Sequence, residues 1–331
     1  MAGRRQKKSG GRSYAWRYRG RIVACVFVEV IIICALVIMI GWNKGVKEWF
    51  EQFEQPVLKE VDISGINSPN AILMQARGGK ILGEINGEAQ IYPASMTKIM
   101  TVILGIENFD DLDEKITLTN EMFTGLYEQD ATQAGFQPGE EVRVIDLLYG
   151  AMLPSGAECC IALADTISGS EADFAELMNK KARKLGMENT NFCDSTGLHN
   201  PDHYSTVKDI AVLMKYCIKN DTFREIVETS RHSTGVTNIH PDGITYYSTM
   251  FKNLSDPTVT GGKILGGKTG YTSEAGHCLV SFAEIEGREY IFVSAGASGA
   301  DGNTIPHIQD AVTVYNRVGA AIEEKMNDNN K

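Results

Sequence analysis

No Cys-x-x-Cys pair occurs among the 7 cysteines, which argues against a thiolate metal site. Cys25 and Cys34 fall in an apolar run. Cys159, Cys160, Cys193, Cys217 and Cys278 are an odd set at irregular spacing, so they read as small buried hydrophobes, with a disulfide between two of them as the alternative. Internal repeats and low-complexity linkers are also missing, which excludes a repeat array. Basic charge is scarce beyond the first fifty residues. Residues 1–50 hold ten Lys and Arg against two acidic residues, and the rest of the chain holds 22 against 40. An acidic body of that kind argues against binding nucleic acid through a basic patch.

What is present begins with a basic head and an apolar stretch. Ile22–Gly41 is about twenty residues long, enough to cross a bilayer as a helix. Arg17, Arg19 and Arg21 stand directly before it, so the positive-inside rule puts the N-terminus in the cytoplasm. Glu29 is one charge inside the stretch, on its cytoplasmic half. A cleaved signal peptide is the rival reading, but the run is long for one and no clean small-x-small site follows. The expected organisation is a cytoplasmic tail (1–21), a transmembrane helix (22–41), a juxtamembrane linker (42–60), an extracytoplasmic domain (61–326) and a short tail (327–331).

Within that domain the pattern predicts a hairpin from Ala71–Ala76 and Lys80–Glu84 around Gly78-Gly79. A helix is expected to start near Ser95, and helix-period segments follow at 144–153, 157–167 and 171–185, the last stopped by Gly186. Another helix is expected over 205–218 with Ser205 as its cap. Lys263–Lys268, Gly276–Ile285 and Tyr290–Ala295 read as antiparallel strands, and a helix over about 305–326 closes the chain. Strands from both ends with helices between them imply an α+β fold, an antiparallel sheet flanked by helices with a mostly helical subregion.

Ser95-Met-Thr-Lys98 places a hydroxyl and an amine one helical turn apart. An amine at the start of a buried helix is partly desolvated, which lowers its pKa and lets it serve as a base. Taken alone, the pattern is weak. A second copy, Ser205-Thr-Val-Lys208, has a plain account as a cap followed by a solvated lysine. Lys268-Thr269-Gly270-Tyr271-Thr272, with Gly266 and Gly267 before it, offers a second cation and hydroxyls on a strand whose backbone a ligand can approach. A glycine-rich edge strand and turn is the bland alternative. Ser155 lies in Pro154-Ser-Gly-Ala157, a tight turn between two helices that can also be a mere connection. His199 and His203 are four apart, but Asn200-Pro201 breaks a helix there and no third ligand is evident.

These segments, in this order, resemble the low-molecular-mass, serine-type penicillin-binding D-alanyl-D-alanine carboxypeptidases. The resemblance covers roughly residues 60–300. It includes Tyr92-Pro-Ala-Ser95-Met-Thr-Lys98, Phe174–Gly186, Asn191-Phe192, Ser195-Thr-Gly-Leu-His199, His203-Tyr-Ser-Thr206, and Lys268–Thr272 with Ala275-Gly276. It implies a β-lactamase/transpeptidase-like fold with Ser95 as acyl-accepting nucleophile and Lys98 as its base. By the same resemblance, Ser155 is expected to relay the proton, and Lys268, Thr269 and Thr272 to hold the substrate carboxylate on the strand that includes Gly270. The resemblance also implies an oxyanion hole formed by the backbone N–H groups of Ser95 and Tyr271. The implied substrates are peptidoglycan stem peptides, with β-lactams as inhibitors and no metal or cofactor.

Two departures stand out. Ala157 occupies the place of the family's asparagine, and Ser298-Gly-Ala-Asp-Gly302 stands where some relatives have an arginine. Three other readings remain on the same residues: a D,D-endopeptidase or transpeptidase, a class A-like β-lactamase using Glu176 and Asn179, and a non-catalytic wall-binding relative.

Overall fold

The computed structural model describes residues 58–254, 256–299 and 305–329. The apolar stretch 22–41 and the linker up to residue 57 lie outside the described residues. Among the described residues no helix is long and apolar enough to cross a membrane.

Strands β1 (Asn70–Gln75) and β2 (Ile81–Ile85) form the expected hairpin. A 3-10 turn over Ala94–Thr97 leads into α1 (Lys98–Asn108). A short ribbon, β3 (Lys115–Thr117) with β4 (Glu141–Arg143), precedes α2 (Val144–Met152), α3 (Ala157–Ser168) and α4 (Glu171–Leu185). Next come α5 (Val207–Cys217), α6 (Asp221–Glu228), a ribbon of β5 (Arg231–Ser233) and β6 (Thr245–Tyr247), and α7 (Thr249–Asn253). The chain then adds β7 (Thr258–Val259), β8 (Gly262–Thr272), β9 (Gly276–Ile285), β10 (Arg288–Ala297) and α8 (Pro306–Asn329). The large sheet is antiparallel and runs β2-β1-β10-β9-β8-β7. The architecture is therefore α+β.

Local signals explain most boundaries. Ser170 accepts a hydrogen bond from the Asp173 amide at 3.1 Å, and Gly186 ends α4 in the left-handed region at φ 79°. The β9–β10 hairpin has a two-residue loop, Glu286 (φ 48°) and Gly287 (φ 66°), and positive φ at both positions matches the right-handed strand twist. Three boundaries differ from expectation. Thr206, not Ser205, caps α5 by accepting from the Asp209 amide at 3.0 Å. Ser205 instead pairs through its backbone with Ile91. Strand β8 continues through Thr272 and carries all of the Lys-Thr-Gly segment, and α8 runs on through Asn329 into the expected tail.

The sheet is buried on both faces. Ile72, Val280, Phe282, Ile291 and Val293 face the helical subregion. Leu73, Leu279, Ala283, Ile285 and Phe292 face α8 and the segment starting at Leu58. Alternate residues of each strand thus enter two different cores, which is why β9 and β10 read as nearly continuous apolar runs. The Tyr315 hydroxyl on α8 accepts from the Phe292 amide and meets Ser281 Oγ, both at 3.1 Å, so the helix is pinned to mid-sheet. Strand β7 covers β8 only at Gly262 and Lys263, and the Lys-Thr-Gly end of β8 has the 3-10 turn as its other neighbour.

Candidate active site

The 3-10 turn is built tightly. Ala94 takes φ 46°, unusual for a residue with a side chain, and the Met96 amide bonds the Pro93 carbonyl at 3.1 Å. This leaves Ser95 partly exposed on the turn and Lys98 as the first residue of α1, buried at 4% exposure. Lys98 Nζ lies 2.8 Å from Ser95 Oγ and donates to the Thr196 carbonyl at 2.8 Å. Ser155 Oγ lies 3.0 Å from Ser95 Oγ. Ser155 sits at φ 73°, strain of the kind that functional turns store, and the Gly156 amide fixes that turn by donating to the Gly150 carbonyl at 2.8 Å. One hydroxyl therefore has an amine and a second hydroxyl within proton-transfer distance.

Strand β8 closes the other wall. A Cβ on Gly270 would come within 3.0 Å of the Ser95 amide nitrogen and 3.1 Å of the Ala94 Cβ, so a side chain there would push the strand and the turn apart by a few tenths of an ångström. Lys268 is buried and donates to the Thr269 carbonyl at 3.0 Å. Thr269 Oγ1 meets Thr249 Oγ1 at 2.7 Å, and Thr272 Oγ1 accepts from the Ala275 amide at 3.0 Å. Tyr271 is exposed, its ring 4.7 Å from that of His277.

Burial drives the Lys98 amine below its ordinary value. Burial, aided by the Lys98 charge, drives Lys268 well below its own. Two buried amines in range of one another cannot both hold protons cheaply. Burial pushes the neighbouring Cys160 thiol up to about 12 and lifts Cys159 as well, so neither thiol supplies an anion near neutrality.

Lys98 and Ser155, far apart in sequence, thus meet at the Ser95 hydroxyl, while β8 brings Gly270 against the Ser95 amide and Lys268 close enough to feel the Lys98 charge. A model of the D-alanyl-D-alanine carboxypeptidase family, peptidase S11, matches residues 57–299. The chain belongs to that family. Among its relatives, D-alanyl-D-alanine carboxypeptidase DacF of Bacillus subtilis is 35% identical over 233 residues, covering 69% of this chain and 57% of that protein. DacC of Escherichia coli is 33% identical over 262 residues, covering 72% of this chain and 58% of that protein. The matched region thus spans under two thirds of each of these two relatives. The crystal structure of the Streptomyces K15 DD-transpeptidase superposes with TM-score 0.69 at 29% identity, covering 79% of this chain and all of that one.

Against the family pattern, Ala157 is buried at the start of α3, where its amide donates to the Thr132 carbonyl at 2.8 Å. The next residue, Glu158, is buried too. Its Oε1 accepts from the Ala134 and Gly135 amides at 2.6 and 2.9 Å, and burial raises its pKa. The segment Asp194–Leu198 is the contribution that sequence reasoning missed. It supplies the Thr196 carbonyl to Lys98, and Gly197 packs on the Ala94 carbonyl. The motif Ser195-Thr-Gly-Leu-His199 marks the segment, but a backbone carbonyl has no signature of its own.

Several other candidates go elsewhere. His203 is buried between Thr97 and Asp194, whereas the His199 ring packs edge-on against Tyr92 at 4.8 Å. Glu176 faces solvent, and the Asn179 side chain is spent on both backbone groups of Phe192 at 2.8 Å. Ser205 meets Thr190 Oγ1 at 2.8 Å, and Lys208 pairs with Glu88, so the second Ser-x-x-Lys is structural.

Proposed function

We propose that this protein is a D-alanyl-D-alanine carboxypeptidase that removes the terminal D-alanine from peptidoglycan stem pentapeptides. The observation that carries the reading is Ser95 Oγ standing 2.8 Å from Lys98 Nζ and 3.0 Å from Ser155 Oγ. Ser95 Oγ attacks the carbonyl carbon of the penultimate D-alanine, and its proton passes to neutral Lys98. The backbone N–H groups of Ser95 and Tyr271 take the oxyanion. The C–N bond breaks, and the proton moves through Ser155 to the leaving amine. Water then attacks the ester, and Ser95 recovers its proton.

The substrate's terminal carboxylate approaches Lys268, Thr269 and Thr272. Its charge favours the protonated form of Lys268, which leaves Lys98 as the neutral partner of the pair. Thr249 keeps the Thr269 hydroxyl in place. Residues 22–41, with their basic flank, support a membrane tether that holds residues 61–326 outside the cytoplasm.

The test is release of free D-alanine from a stem pentapeptide by the full-length protein, followed by product analysis. Tetrapeptide and D-alanine in equal amounts are expected. An untouched pentapeptide under conditions where the protein is folded overturns the reading. A second reading, transfer of the acyl group to an amine, is favoured by the likeness to the Streptomyces K15 DD-transpeptidase. Adding an acceptor amino acid or peptide distinguishes the two by giving an exchanged product in place of the tetrapeptide.

A further inference from the structure

Lys98 is held from both ends by one carboxylate that touches neither it nor Ser95. Asp194 Oδ1 accepts three hydrogen bonds within its own loop, from the Thr196 amide at 2.8 Å, the Thr196 hydroxyl at 2.7 Å and the Gly197 amide at 2.7 Å. That cluster fixes the peptide whose Thr196 carbonyl receives the Lys98 amine. Asp194 Oδ2 lies 3.1 Å from His203 Nδ1, and His203 Nε2 lies 2.9 Å from Thr97 Oγ1, one residue before Lys98 in the chain. The same loop is anchored to α1 by Thr101 Oγ1, which donates to the Ser195 carbonyl at 2.6 Å, and to α4 by Glu171, which accepts from Ser195 Oγ at 2.7 Å. Ala157 has no hydrogen-bonding side chain to offer Lys98, and the Thr196 carbonyl accepts from the amine.

We propose that Asp194 is a positioning residue for Lys98, setting the amine through the Thr196 carbonyl and its backbone through His203 and Thr97. This rests on the reading of Lys98 as the base for Ser95. Asp194 also acts on Lys98 through its charge. Burial alone would raise the Asp194 carboxyl, but the hydrogen bond and charge of His203, with bonds from Thr196 and Gly197, hold it down to about 2. It therefore stays anionic and favours the protonated amine, against the burial that favours the neutral one. The titratable groups that face Lys98 are Asp194, Glu158, Cys159, Cys160 and Lys268.

Two substitutions separate geometry from charge. Asp194→Asn keeps an oxygen for the three loop donors and removes the charge. Asp194→Ala removes both. Acylation of Ser95 by a β-lactam is measured across pH, together with the NMR titration of Lys98 in lysine-labelled protein, assigned with Lys98→Met. Asp194→Ala is expected to acylate about a hundredfold more slowly, as displaced catalytic groups do. Asp194→Asn is expected to keep its plateau rate within a few-fold, with its acid limb and the Lys98 midpoint moved about one pH unit lower. Wild-type rates in Asp194→Ala overturn the proposal, as does an unmoved Lys98 midpoint in Asp194→Asn. Should Asp194→Ala fail to fold, Thr97→Val, which breaks only the His203 link, is expected to slow acylation about tenfold, and a wild-type rate there overturns the proposal. Because the NMR titration needs no turnover, it reads Asp194 even if the wild type proves unreactive toward β-lactam, a result that counts against the carboxypeptidase reading itself.

Discussion

Lys98→Met is expected to slow acylation of Ser95 on the order of a thousandfold, the scale of a lost general base. Methionine fills much of the volume of the lysine stem, so the buried site keeps its packing. Only the group that takes the serine proton disappears. The pH dependence gives the sign. In the wild type, the protonated amine cannot accept a proton, so activity falls as pH drops through the lowered pKa of Lys98 and rises above it. In Lys98→Met that limb is expected to vanish, because no group at position 98 titrates. Stopped-flow acylation across pH checks both points. A surviving acid limb in Lys98→Met would assign the base to another residue.

Gly197→Ala is expected to damage both stability and rate. Gly197 sits at φ 80°, where a side chain costs about 1 kcal/mol. A Cβ there would overlap the Ala94 carbonyl oxygen and come within 2.5 Å of its carbon and 2.8 Å of Thr97 Oγ1. The turn carrying Ser95 must then move, adding about 1–3 kcal/mol of overpacking. Gly186→Ala is the control. Gly186 has nearly the same φ, 79°, but nothing within 4 Å of its added Cβ. It should lose only the conformational part and acylate at wild-type rate, whereas Gly197→Ala should acylate about a hundredfold more slowly. Urea melts and acylation rates measure the pair. Equal losses in both variants would mean that the Gly197 contact does not support the nucleophile turn.

Much of the fold was legible because its elements are long and strongly patterned. The helix over 171–185 announces itself by an acidic first turn, a basic last turn and Gly186. Strands β9 and β10 were readable as apolar runs around a Gly turn. Short elements were not. Ribbons β3–β4 and β5–β6 have three residues per strand, too few for a period to show, and their form depends on tertiary contacts. The end of strand β8 is hard to read from sequence, because the glycine and small polar residues after Lys268 hide alternation. Either Ser205 or Thr206 suits a helix cap. Only the pairing of Ser205 with Ile91, far away in sequence, decides for Thr206.

The candidate site followed a similar division. Ser95, Lys98 and Lys268 were visible because their chemistry resides in side chains within short motifs, and Ser155 was visible only through the family resemblance. The support beneath them was hidden. The Thr196 carbonyl is backbone, the Asp194 cluster depends on a loop conformation, and the Thr249–Thr269 contact joins segments that only folding brings together.

The most direct test of the account is to incubate the full-length protein with a β-lactam, digest it and locate the adduct by mass spectrometry. The account predicts one covalent adduct, on the peptide carrying Ser95, that is lost in Ser95→Ala. An unmodified wild type, or an adduct that persists in Ser95→Ala, would contradict it.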